Sequence, residues 1–286
     1  MLIEMLSCSS FETAQYPSPT TTLKLTDDIS KTSSPTDIFT PYPTKTLVPL
    51  ATLQPTQAKD MLRRLLSEQE LCNSPCFWKI TPNQTTLGEA ENVFNYLNIP
   101  LVHTFQNDRK DFYATDFGFE SGVSVSIVIR VQNNLVDSLR TDIGLVNYKG
   151  SVAEQEWLAF SPKTILAQYG TPSRVEFYLS RGPQANSSIP DISYNMTVYF
   201  DSLDLIIEYI SGKTKDNDLI RSCPLIDRID NISVWLGENA DHAPSKNGVP
   251  LETATSLTLE QFYSLMLQEP DTACFDLSRD AVLLNP

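Results

Sequence analysis

Five cysteines are the residues of this chain with the clearest capacity for chemistry: Cys8 near the start, then Cys72, Cys76, Cys223 and Cys274. The last four lie in the part of the chain with core-forming pattern. In an exported protein they favour two disulfides, with three ways of pairing them. The expected pairing is Cys76–Cys274 with Cys72–Cys223, which would tie both late segments to the start of the first folded module and close long loops worth about 3–5 kcal/mol each on the chain-entropy model. Zinc is the rival reading. Cys72-x-x-x-Cys76 has a tolerable ligand spacing, but Cys223 and Cys274 are isolated and neither His103 nor His242 lies nearby in sequence. No metal and no other cofactor is expected.

Cys8 has a different context. Met1-Leu-Ile-Glu-Met-Leu-Ser-Cys8 resembles the end of a bacterial lipoprotein signal, with Leu6 and small Ser7 before the cysteine, but it lacks a basic start and a full apolar segment. Residues 1–8 are read as the remnant of such a signal, behind a start codon placed too late, and Cys8 as a lipidation site. An ordinary N-terminus with an incidental cysteine is the alternative.

Nucleophilic catalysis needs a base and an orienting group beside a Ser, Cys or Thr, and two histidines offer few arrangements. His103 sits in an apolar, strand-like run and His242 in Asn-Ala-Asp-His-Ala-Pro, a loop sequence. No G-x-S-x-G or P-loop pattern occurs. Asp216-Asn-Asp218 lacks the remaining ligands of a calcium loop and reads as a solvated turn. Asn83, Asn186, Asn195 and Asn231 head N-x-Ser/Thr sequons, which matter only in a secretory eukaryotic cell. Phe77, Trp78, Trp157 and Trp235 could line a binding surface, but core packing is the better reading of all four. No catalytic residue is assigned.

Charge removes further classes. Net charge is −14, from 35 acidic against 21 basic side chains with no basic cluster, so nucleic acid and anionic membrane surfaces are disfavoured as partners. No window approaches the roughly 20 apolar residues of a spanning helix. A lipid on Cys8 is the one expected membrane contact.

Positioning elements start late. Residues 9–56 hold 12 Thr, 6 Ser and 7 Pro, a composition that buries too little apolar surface to offset its ordering entropy and that favours extended conformers. This segment is read as a stalk, the alternatives being a disordered terminus without a role or a strap packed on the domain through Phe39, Tyr42, Leu47, Val48 and Leu50. Residues 57–150 form a first module: a lead-in helix over 58–71, then Thr86 and Glu89 at capping-box spacing ahead of the stripe Leu87, Ala90, Val93, Phe94, Leu97. Segments near 101–105 and 112–115 add strands. Val123, Val125, Ile127, Ile129 and Val131 then alternate with polar residues, and Asn133-Asn134 turns the chain into a partner strand over 135–143.

Residues 151–240 form a second module. Ser161-Pro162 opens a helix and Gly170-Thr-Pro172 closes it. Strands follow over 175–180, 193–200 and 203–210, with a turn at Asp201-Ser202 and one more strand over 232–236. Residues 241–286 are a C-terminal extension: a loop over 242–255, a helix opened by Thr258 and Gln261, and a closing Cys274-Phe-Asp-Leu segment that docks back. The fold class expected is α+β, two tandem helix-then-antiparallel-sheet modules with a C-terminal helical extension.

Pro75-Cys76-Phe77-Trp78-Lys-Ile-Thr-Pro82 with Thr85-Thr86, and Pro162-Lys-Thr-Ile-Leu-Ala-Gln-Tyr-Gly170-Thr-Pro172, resemble a group of uncharacterised bacterial surface lipoproteins. Those carry a Ser/Thr/Pro stalk, a Pro-Cys-aromatic lead-in and a Tyr-Gly-x-Pro helix exit, and the likeness covers roughly residues 70 to 280 at the level of pattern. A more distant, fold-level likeness is to small outer-membrane assembly lipoproteins and to β-lactamase inhibitor protein modules, from which this chain departs in length, later cysteines and C-terminal extension. The resemblance implies no activity. The leading reading of the chain is an extracytoplasmic, lipid-anchored, non-catalytic domain that binds a protein or envelope component. The alternatives are a secreted inhibitor or ligand-binding module, which requires exposed aromatics on one sheet face, and a carboxylate-dependent hydrolase, which requires a deep pocket with two acids of raised pKa.

Overall fold

The fold comes from a computed structural model, which describes residues 49–68, 77–107, 109–145, 157–181, 191–211, 214–215, 219–224, 229–237, 248–268 and 273–278. All of them belong to the compact unit Thr46–Pro286. The expected stalk before residue 49, Cys8, Cys72, Cys76, Asn186, Asp216, Asp218 and His242 lie outside the described residues.

Helix signals in the sequence place the helices. α1 spans Pro55–Ser67, not 58–71: Pro55 takes the first helical position, where its fixed φ suits the helix and its missing N–H costs nothing. The segment read as stalk therefore ends before Pro55. α2, Leu87–Tyr96, starts at a reciprocal cap in which the Thr86 N–H donates to Glu89 Oε2 at 2.9 Å and the Glu89 N–H donates to Thr86 Oγ1 at 3.2 Å. α3, Pro162–Tyr169, is capped by Ser161 Oγ and released by Gly170 at φ 81°, a left-handed conformation that glycine adopts without strain. The expected loop over 242–255 is corrected in its second half, where a two-residue strand and a short helix, α4 (Leu251–Ala254), end it. α5, Leu259–Met266, follows the Thr258–Gln261 capping box.

The strands make a continuous antiparallel sheet of ten. β1 (Val102–Asn107), β2 (Lys110–Gly118), β3 (Val123–Gln132) and β4 (Leu135–Leu145) form a meander. Asn133 and Asn134, at φ 52° and 64°, supply its β3–β4 turn. A second meander runs through β5 (Arg174–Arg181), β6 (Asp191–Phe200) and β7 (Leu205–Ser211). The expected strand over 203–210 starts at Leu205, because 201–203 form a 3-10 turn and Asp204 is left-handed. β8 (Thr214–Lys215) pairs with β6, and β9 (Leu219–Ser222) belongs to a separate ribbon. β10 (Ile229–Gly237) inserts between the meanders, pairing with β4 on one side and β7 on the other. The order is β1-β2-β3-β4-β10-β7-β6-β5-β11, with β11 (Val249–Pro250) at the far edge. The fold is mixed α+β, and the strands of the two expected modules share one sheet.

The five described helices pack on one face. Their buried side chains, among them Leu62, Leu66, Phe94, Ile165, Leu251 and Phe262, join Val125, Ile127, Ile129, Ile143, Val198, Ile207 and Val234 of the sheet in a single core cluster. Trp78 and Trp157 are in it too, as expected for structural aromatics.

The two-stranded ribbon pairs β9 with β12 (Phe275–Ser278), Ser222 opposite Phe275. One position further, Cys223 and Cys274 are disulfide-bonded across the ribbon with their Cα atoms 4.1 Å apart. This corrects the expected pairing, in which each would bond a cysteine near residue 75. The antiparallel register decides it, since directly opposed residues in such a pair place their Cβ atoms within disulfide reach. Phe275 packs against Phe177 and Phe262, so the ribbon docks on the helix side, as the closing segment was expected to do.

Candidate functional site

The other face of the sheet is the candidate site. Among the described residues its only apolar cluster is Tyr199, Ile206 and Trp235, and no helix contributes to it. Strand register lines up its side chains in two rows.

The first row runs Arg174, Tyr199, Ile206, Trp235, Arg140, Val128 across β5, β6, β7, β10, β4 and β3. The Arg174 guanidinium lies 3.5 Å from the Tyr199 ring centroid and that of Arg140 lies 5.3 Å from the Trp235 centroid. An arginine thus closes over each aromatic ring, a cation–π arrangement that buries the ring while leaving charge at the surface. Tyr199 is 1% and Trp235 3% exposed.

The second row runs Glu176, Thr197, Glu208, Ser233, Asp142, Ser126, Asp116, so acids alternate with hydroxyls. Three of the acids have donors in place. Arg174 donates to Glu176 Oε1 at 2.6 Å and the Tyr199 hydroxyl to Glu176 Oε2 at 3.0 Å. Asn195 Nδ2 donates to Glu208 Oε1 at 2.8 Å. Ser233 Oγ donates to Asp142 Oδ1 at 2.6 Å, and Arg140 grips the same carboxylate. The Asn195 sequon amide is thereby engaged in the row.

Electrostatics follow from that burial. Glu208 is 4% exposed, and removal from water raises its carboxyl above the usual range; Asn195 and Arg140 oppose the rise and Asp142 adds to it. Burial, then the neighbouring Glu176 charge, raises the Tyr199 phenol. At one end of the face, Arg130 Nε donates to both oxygens of Asp137, at 2.8 and 2.9 Å, and Lys110 stands 3.8 Å away. Gly237 closes against this corner: at φ 89°, a Cβ there would fall 2.4 Å from the Asp137 carbonyl oxygen.

Of the described residues singled out in the sequence, Trp235 and Asn195 lie on this face, as does Asn231, whose Oδ1 accepts from Ser233 Oγ at 3.1 Å; the others fall elsewhere. Cys223 and Cys274 form the ribbon bridge. His103 is half exposed on edge strand β1, its Nε2 3.2 Å from Asp111 Oδ1. Sequence reasoning missed Arg140, Arg174, Glu176 and Glu208, and read Asn195 only as the head of a sequon. The signal was present: Glu208 interrupts the apolar run of β7, Leu205-Ile-Ile-Glu-Tyr-Ile, where a charge has no reason to be unless the second face is polar.

No family model, curated protein or solved structure matches the chain. No described helix is long and apolar enough to cross a membrane.

Proposed function

We propose that the protein is a non-catalytic binding domain held outside the cytoplasm, and that it engages a protein or cell-envelope component through the sheet face opposite the described helices. The observation that carries this reading is the first row, in which Arg140 and Arg174 hold charge at the surface over buried aromatic rings. Arginine stacked on an aromatic is pre-ordered, so less side-chain freedom is lost when a partner binds. The acids beneath are already satisfied by Asn195, Ser233, Tyr199 and the two arginines, which fits recognition more than acid–base chemistry. The Cys223–Cys274 bridge supports an oxidising compartment. The lipoprotein likeness, the two helix-then-sheet modules meeting at β4 and β10, and an anchor at Cys8 belong to the same reading.

The inhibitor alternative asks for exposed aromatics gathered on one face. Tyr199 and Trp235 are covered, and the exposed Phe105 and Tyr178 sit near opposite edges of the sheet, so the reading is not favoured.

The test places a photo-cross-linking residue at Val128, on the face opposite the described helices, and separately at Lys163 on α3, in the cell that makes the protein. A specific adduct is expected from position 128 alone, lost on R140E/R174E. Equal adducts from both positions, or an adduct indifferent to the arginines, would remove the proposal. Alkylation of Cys223 and Cys274 before lysis would remove the extracytoplasmic part.

A further inference from the structure

We propose that a cavity between α1 and α2 binds a small single-chain amphiphile with a carboxylate head. It is open to solvent on one side and has a volume of about 230 Å³. Met61 and Leu65 of α1, Val93 of α2, Leu97 and Trp78 give it apolar walls, and Arg64, Lys79 and Glu68 are the charged residues in its lining. An apolar cavity of about 150 Å³ already stays dry and admits benzene, so this one has room for a longer hydrocarbon.

The turn that supplies Trp78 and Lys79 is the second observation. Phe77 and Ile80 exchange backbone hydrogen bonds of 3.0 and 2.8 Å, leaving Trp78 and Lys79 as the two central residues at φ 50° and 68°. Such left-handed pairs are ordinarily filled by Asn-Gly, because a large side chain there is strained by roughly 1–3 kcal/mol per residue. This chain holds a tryptophan and a lysine in those positions. The Trp78 indole Nε1 is moreover buried with no hydrogen-bond partner, an arrangement that itself costs about 1–3 kcal/mol. Strain and an unsatisfied donor persist where the surrounding function requires the ring. The ring forms part of the wall and the exposed Lys79 ammonium part of the rim, beside Arg64, whose Nε lies 3.6 Å from Glu68 Oε2. Among the described residues of the rim, two cations stand against one carboxylate, a local excess of positive charge on a chain of net charge −14. That local inversion selects an anionic head over a neutral one.

The full chain is titrated with decanoate, decanol and acetate while the indole N–H resonances of its tryptophans are followed by NMR, with W78F assigning the Trp78 signal. Decanoate should shift that signal saturably and leave those of Trp157 and Trp235 in place; acetate should shift nothing. V93F, which fills the cavity, should weaken decanoate ~10-fold, and K79M should weaken it about threefold while leaving decanol unchanged. No saturable shift with decanoate overturns the site, as does unchanged binding by V93F. Equal affinity for decanoate and decanol, or no effect of K79M, overturns the head-group assignment. K79M changes an exposed side chain, so the test stands even where V93F does not fold.

Discussion

The two faces of the ten-stranded sheet solve burial by opposite means. On the helix side, Val125, Ile127, Ile129 and their neighbours vanish from solvent because the described helices supply apolar volume. On the other side, Thr197, Glu208, Ser233 and Trp235 are nearly as buried with no described helix above them, because polar neighbours in register enclose one another. The first face depends on shape and the second on pairing. Apolar packing tolerates any partner of the right volume, whereas a paired polar face is sensitive to each missing group. A face built by pairing also presents a defined pattern of charge outward, which is why the binding proposal rests there.

The largest effect expected is on the packed face. Phe177 is fully buried, and its ring lies 5.6 Å from that of Phe275. F177A should cost about 3–5 kcal/mol through lost transfer energy and the cavity left behind, measured by urea unfolding with the Cys223–Cys274 bridge intact. It should also loosen the β9–β12 ribbon, since Phe275 loses its seat. A cost below about 1 kcal/mol would mean that this face is not close-packed and that the contrast between the faces is false.

On the paired face the matching experiment removes one partner of an ion pair. Asp137 receives two hydrogen bonds from Arg130, and both side chains are buried. D137A should cost about 3 kcal/mol, because it strips the guanidinium of that carboxylate inside the structure. The sharper form is the double variant R130M/D137L, which replaces the pair by apolar volume and should recover most of the loss. If D137A alone is harmless, the face is wetter than its burial says.

Much of the helix side could be read from the sequence, because its signals are local. Thr86 with Glu89, Ser161 with Gly170, and Thr258 with Gln261 sit within a few residues of one another and fix three helices. The alternation of Val123 to Val131 and the Asn133-Asn134 turn likewise announce β3 and β4. What escaped was long-range. Nothing near residue 232 says that β10 runs between β4 and β7, and nothing near Cys223 says that its mate is Cys274, because both depend on register between segments far apart in the chain. The candidate site suffers the same limit: Arg174, Tyr199, Ile206, Trp235 and Arg140 form a row only once five strands are in register.

The smallest expected effect tests what dominates on the paired face at Glu208. Burial raises this carboxyl, so its proton is held more firmly in the folded chain than in the unfolded one. A group of that kind contributes its full stability below the ordinary carboxylate range and loses it as pH rises through the raised folded value. Above the ordinary carboxylate range, folding must therefore bury this charge or bind a proton to it, a cost that Asn195 and Arg140 only partly offset. E208Q removes the charge at every pH and keeps an oxygen to accept from Asn195 Nδ2, so it should stabilise the fold at pH 7 by at most about 1 kcal/mol. Thermal melts from neutral to acidic pH should show that gain shrinking, then vanishing once the wild-type carboxyl is protonated in both states. A loss at pH 7 would reverse the order of causes, making the pull of Arg140 and Asn195 on the charged form stronger than its desolvation and Glu208 a member of the ion-paired set with Asp142.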